Sequence, residues 1–312
     1  MNEFALIRRY LQWPARRPEL RVGNGDDGAV HAVPDGQELA TAMDTLVGGV
    51  HFFPDVDPQS LGHKALAVNL SDLAAMGAEP AFALLSLTLP QADEAWVADF
   101  ARGFRDLAQE HGCDLIGGDL TRGPLAVTVQ VSGYVPAGQA IVRGGARAGD
   151  DIWISGDIGA AGAALRDLRG EQPLLAAERA AALERLLWPS PRVRLGLTLR
   201  GIAHAAIDLS DGLGGDLAHI AAASGLGAEV LVERLPLWRA GADWTRAVTD
   251  GDDYELCLTA PAAARAAVAA AAGGAGVALN RVGRMVAGAG VQFQHDGQPV
   301  DPARGAHDHF AG

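Results

Sequence analysis

Apolar positions along this chain switch repeatedly between helical and strand spacing. Residues 3–12 are predicted as a short amphipathic helix, and 39–45 as a strand ending in Asp44. Over 58–77, Leu61, Ala65, Val68 and Leu73 recur at helical intervals. A buried strand over 81–89, a helix over 93–111 and a strand over 114–116 are expected next. Residues 125–135 alternate Leu, Val, Val, Val against Ala, Thr, Gln, Ser, the period of a strand. The stretch 138–150 carries four glycines, and the domain boundary is placed there. The second half is predicted to hold strands at 151–155, 205–210 and 228–233. Helical stretches are expected from Gly159, from Pro191, at 213–224 and at 262–272, with terminal strands at 278–286 and 291–295. This alternation indicates an α/β (α+β) chain with two domains, 1–137 and 138–312.

The 312 residues are 49% hydrophobic and 20% charged, a globular composition, while aromatics make up only 5%, so aliphatic packing must fill the cores. The formal charge of -13 argues against a nucleic-acid partner. The sole lysine, Lys64, lies in Gly-His-Lys-Ala-Leu, so no P-loop exists, and no protein-kinase signature is present either. Cys113 and Cys257 are too far apart in sequence for a Cys-x-x-Cys motif and read as two buried thiols. No signal peptide and no span of about 18 apolar residues is evident, so a cytoplasmic protein with no membrane partner is expected.

The chemistry is concentrated in aspartates beside glycines and strand ends. They occur in Gly23-Asn24-Gly25-Asp26-Asp27, Met43-Asp44-Thr45, Asn69-Leu70-Ser71-Asp72, Gly117-Gly118-Asp119, Ile207-Asp208-Leu209-Ser210-Asp211-Gly212 and Asp250-Gly251-Asp252-Asp253. Each alone reads as turn chemistry, and Asp211 reads equally as a helix cap. Six together suggest a cleft of carboxylates. Such a cluster needs cations to relieve its repulsion, and Mg²⁺ is the natural hard, oxygen-binding choice alongside phosphates.

Taken in order, these blocks, with Lys64–Ala78 and Asp44–Phe52 the most specific, resemble the thiamine-monophosphate kinases. The resemblance implies a two-domain fold like that of aminoimidazole ribonucleotide synthetase, with N-terminal strands forming a barrel across a homodimer. It implies ATP-dependent phosphorylation of thiamine monophosphate to thiamine diphosphate with several Mg²⁺ ions, and K⁺ as an optional further cation. The implied metal set is Asp27, Met43, Asp44, Asp72, Asp119, Asp208 and Asp211. Gly118, Asp119, Arg143 and Ser210 are implied ATP contacts, and His51, Asp252 and His307 substrate contacts. Three positions depart from the family pattern: Ala42 replaces a serine, Asp252 a glutamate and His307 an aromatic.

No general base is expected, because a phosphomonoester with a second pKa near ~6 is already a nucleophilic anion at pH 7. Two other readings stand beside this one. Another ATP-using enzyme of the superfamily is disfavoured, because no cysteine precedes Cys113 or follows Cys257. A non-catalytic nucleotide- or thiamine-phosphate-binding sensor that keeps the fold would rest on Ala42, Asp252 and His307.

Overall fold

The structure is a computed structural model describing residues 3–302. The chain forms two compact units. The first runs to Leu73 and resumes over Ala78–Gly138; the second comprises Ala74–Gly77 and the chain from Gln139.

The first unit contains α1 (Glu3–Leu6), β1 (Leu20–Val22), β2 (Val30–His31), β3 (Gln37–Val47), α2 (Pro58–Ala75), β4 (Glu79–Leu89), α3 (Glu94–Glu110), β5 (Asp114–Arg122) and β6 (Ala126–Pro136). Its four-stranded sheet has the order β3-β6-β4-β5, antiparallel except for the β4–β5 pair. One face is buried: Ala40 and Leu46 of β3, Val127 and Val129 of β6, and Leu85 and Leu87 of β4 point into it. The opposite face presents Leu39, Met43 and Leu84, all exposed.

α3 begins at an aspartate cap, Asp93, whose side chain accepts hydrogen bonds from the Ala95 and Trp96 amides. Its Val97, Phe100, Phe104 and Leu107 form one buried stripe. α2 is buried nearly all round and takes its polar Ser60, Lys64, Asn69 and Ser71 inside with it. The two helices approach through Gly62 and Gly103. A Cβ on either glycine would collide with the facing carbonyl, that of Phe100 or Gln59 respectively.

The second unit contains β7 (Asp151–Ser155), α4 (Ala160–Leu168), α5 (Ala176–Leu187), α6 (Val193–Thr198), β8 (Ala205–Asp208), α7 (Leu213–Ser224), β9 (Gly227–Leu231), α8 (Trp244–Thr249), β10 (Leu256–Ala260), α9 (Arg265–Ala275), β11 (Leu279–Val286), β12 (Gly290–His295) and β13 (Gln298–Val300). Its seven strands run in the order β13-β12-β9-β11-β7-β10-β8. Only the β12–β9 pair is parallel. Ile152, Ile154, Ile207, Leu213, Leu217, Ile220 and Val282 lie in its main core.

Several elements differ from expectation. The N-terminal helix is four residues long and passes into a π-turn at Ile7–Leu11. The strand expected at 114–116 continues to Arg122, through two glycines. α5 and the interior strand β10 carried no sequence prediction: all five residues of β10 are buried, so the alternation that marks a half-exposed strand is missing. Both cysteines are free and buried, and burial pushes the Cys113 thiol up to about 12.

Overpacking a close helix crossing costs about 1–3 kcal/mol. Gly103→Ala is therefore expected to lower the thermal midpoint by about 2 °C or more. An unchanged midpoint in a differential scanning measurement would show that α2 and α3 can separate freely.

Candidate active site

In the first unit, α2 fixes the acids by clamping the sheet edge. β3 is the edge strand, and its Asp44 amide donates 2.9 Å to the side-chain oxygen of Asn69 on α2. Asn69 is itself held by donating 3.0 Å to the Ala65 carbonyl. Asp72 follows one helical turn later, so a single buried amide sets strand acid and helix acid relative to each other. Asn69 stood in a quoted motif but had no assigned role; its signal was a buried amide among apolar helix positions.

The strand pleat separates two of the predicted ligands. Thr45, Thr128, Ser86 and Asp119 lie in one cross-strand row, and a 2.9 Å hydroxyl contact joins Thr45 to Thr128. This row is on the exposed face. Asp44 and Gly118 belong to the neighbouring row, whose side chains point to the buried face. Gly118 has φ 149°, and a Cβ there would strike the Leu85 carbonyl, so the strand can pass only with glycine. Met43 shares the open face and is 65% exposed.

His51 closes a turn after β3. Its Nδ1 accepts 3.0 Å from the Val47 amide, which places the neutral ring's proton on Nε2. Asp27 lies exposed in the turn between β1 and β2, its amide donating 2.9 Å to the Asp26 side chain. That turn starts at Asn24, whose amide group donates to the Leu11 and Leu115 carbonyls. A cavity of about 340 Å³ beside it is lined by Trp13, Leu20, Gly23, Asn24 and neighbouring residues.

In the second unit, the ends of β8 and β10 carry the polar cluster. Leu209 N–H donates 2.8 Å to the Glu255 carbonyl, Tyr254 N–H donates 2.8 Å to the Leu209 carbonyl, and Asp252 N–H donates 2.9 Å to the Ser210 carbonyl. These bonds bring Asp208, Ser210, Asp211 and Asp252 to one end of the sheet. Gly251 is required, because a Cβ would meet the Ser210 carbonyl. Asp216, in the first turn of α7, accepts the Asp211 amide at 3.1 Å. Burial, and then repulsion from Asp208, push the Asp216 carboxyl up to about 8. Arg143 is exposed in a loop whose Val142 carbonyl accepts the Ala206 amide of β8.

Beneath this cluster lies a buried charge network that the sequence did not reveal. Glu255 is fully buried and bound by Arg185 and by both Nε and Nη2 of Arg192, and it accepts 2.5 Å from the Ser155 hydroxyl. Asp253, also buried, accepts the Gly159 amide through both oxygens, at 2.9 and 3.0 Å. Its desolvation pushes its carboxyl well above the usual range. Asp252 and Tyr254 have φ of 70° and 50°. Non-glycine residues in that region cost about 1–3 kcal/mol each and persist only where their surroundings hold them.

Among the described residues, no three His, Cys, Asp or Glu side chains are gathered closely enough to hold a metal ion. The donors are nevertheless the right kind for Mg²⁺, carboxylate and carbonyl oxygens, and Asp216 is raised first by burial and then by the neighbouring Asp208. His307 lies outside the described residues.

Family models for the AIR synthase related protein match over 25–135 (N-terminal domain) and 147–296 (C-terminal domain). The thiamine-monophosphate kinase of Salmonella typhimurium is 46% identical over 322 residues, covering 99% of this chain and 98% of that protein. The chain belongs to the thiamine-monophosphate kinase family. The Escherichia coli K12 enzyme of that name is 45% identical at the same coverage. A crystal structure of thiamine-monophosphate kinase from Stenotrophomonas maltophilia superposes with a TM-score of 0.86 at 45% identity, covering 96% of this chain and 98% of that one. A structure of AaThiL complexed with AMPPCP and TMP matches at 0.77 and 29% identity, covering 98% of this chain and 96% of that one. Hydrogenase maturation protein HypE, at 19% identity and TM-score 0.75, shares the fold.

Removing one partner of a buried ion pair leaves the other charge uncompensated, at a cost of about 3–5 kcal/mol. Glu255→Gln should therefore lose about 3 kcal/mol in urea unfolding at pH 7. An unchanged midpoint would show that Arg185 and Arg192 do not depend on that carboxylate.

Proposed function

We propose that this chain transfers the γ-phosphoryl group of ATP to the phosphate of thiamine monophosphate, giving thiamine diphosphate and ADP. The observation that carries this reading is 46% identity running almost end to end with a thiamine-monophosphate kinase. A phosphate oxygen of the substrate attacks the γ-phosphorus in line. The new P–O bond forms as the bond to the β,γ-bridging oxygen breaks, and ADP leaves. The nucleophile is already anionic, so no side chain need remove a proton.

Asp27, Asp44, Asp72, Asp119, Asp208 and Asp211 are the proposed Mg²⁺ ligands. Met43 contributes its carbonyl oxygen, because a thioether is too soft a donor. Bound Mg²⁺ would neutralise phosphate charge and lessen repulsion between donor and acceptor anions. Arg143 offers a forked contact to ATP phosphates, and Ser210, next to the N-terminus of α7, a hydroxyl. Gly118 lets the nucleotide lie close to the backbone. His51 and Asp252 are the proposed contacts to thiamine monophosphate, His51 as an Nε2–H donor, and His307, outside the described residues, is assigned to the substrate from the family pattern alone. Cytoplasmic location and K⁺ as an optional further cation belong to the same proposal.

The exposed face of the first unit's sheet is proposed to be covered by a second copy, closing a barrel. Asp119 is on that face and Asp44 on the other. Asp119 would then complete a metal set in the partner's site. Asp44→Asn and Asp119→Asn should each cut turnover by at least about 10²-fold, the scale of losing one preorganised electrostatic group. Co-refolding the two inactive variants should restore activity, because each mixed dimer holds one intact site. No recovery from dimers confirmed as mixed would place Asp119 in its own subunit's site.

The substrate assignment is tested by ATP turnover with thiamine monophosphate, free thiamine and a purine precursor, each over a Mg²⁺ titration. Magnesium-dependent turnover with thiamine monophosphate alone is expected. Turnover only with free thiamine would overturn it.

A further inference from the structure

The Asp252–Glu255 segment has two sides. Asp253 and Glu255 turn inward, the first onto the Gly159 amide and the second onto Arg185, Arg192 and Ser155. Asp252 and Tyr254 alternate with them and meet each other: the Tyr254 hydroxyl donates 3.0 Å to Asp252 Oδ1. Tyr254 is buried while Asp252 is half-buried, so the tyrosine backs a carboxylate that solvent or a ligand can reach. Both residues hold left-handed backbone conformations that neither would adopt unsupported. The support comes from the inward pair and from the amide bonds to Leu209 and Ser210.

We propose that Tyr254 is a positioning residue for thiamine monophosphate, its hydroxyl fixing the carboxylate of Asp252 toward the substrate while the Glu255 network holds the tyrosine's backbone in place. This rests on the reading of Asp252 as a substrate contact. Aspartate is one methylene shorter than the glutamate of the family pattern, so its reach depends on backbone placement and a fixed rotamer. The hydrogen bond supplies the second and the left-handed backbone the first.

The test is a steady-state cycle of the full-length enzyme with Tyr254→Phe, Asp252→Ala and the double variant. Tyr254→Phe deletes one hydroxyl. A hydrogen bond of ordinary net strength corresponds to about a 3–10-fold rise in KM for thiamine monophosphate. That rise is expected with kcat within about twofold and KM for ATP unchanged, and the same substitution should add nothing in the Asp252→Ala background. If Asp252→Ala leaves KM for thiamine monophosphate unchanged, the substrate-contact reading itself falls. If Asp252→Ala raises KM but Tyr254→Phe does not, or if the two effects simply add, the positioning role alone falls. A Tyr254→Phe protein that loses ATP affinity and thermal stability together would also overturn it, by showing that the hydroxyl supports the fold.

Discussion

Burial of carboxylates beside one another is the constraint on which the site depends. Asp208, Asp211 and Asp216 lie close enough at one end of the second unit's sheet that burial and their shared charge drive Asp216 up to about 8. The protein has 38 acidic and 25 basic residues, only one of them lysine. Acids so placed gain stability when divalent cations and phosphates arrive together, because each anion then faces a positive ion. A chain that must join two phosphates has use for such a site, since donor and acceptor repel one another as well.

The scaffold holds these acids by backbone-level devices. In the first unit, Asn69 satisfies the outward amide of an edge strand at Asp44, so strand and helix cannot slide against each other. Gly118 permits a strand crossing that any side chain would block. In the second unit, the backbone bonds continue past the ends of β8 and β10, carrying Ser210 and Asp252 into one cluster. The Glu255 network underneath is costly to bury and replaceable in principle by apolar residues. What it anchors is the segment where two non-glycine residues hold strained conformations.

Much of this could be read in the sequence. α2, α3, α7, β4 and β7 follow from apolar spacing with small boundary shifts. The aspartate motifs divide: those at Asp27, Asp208–Asp211 and Asp252 lie in turns or at strand ends, whereas Asp44 and Asp119 lie within β3 and β5, the first of which runs past Asp44 to Val47, and Asp72 lies within α2. β10 could not be read, because a strand buried on both faces has no alternation and its five residues resemble any short apolar run. The Glu255 network was hidden for a different reason. Its partners Ser155, Arg185 and Arg192 lie 63 to 100 positions away and meet only after the sheet and α5 have formed. The opposite orientation of Asp44 and Asp119 needed the strand register, which no motif records.

The most direct measurement is anomalous scattering from crystals grown with Mn²⁺, a non-hydrolysable ATP analogue and thiamine monophosphate. Metal peaks bridging the analogue's phosphates and the carboxylates of Asp44, Asp72 and Asp208 are expected. A nucleotide seated elsewhere, with no metal peak at those three side chains, would contradict the account.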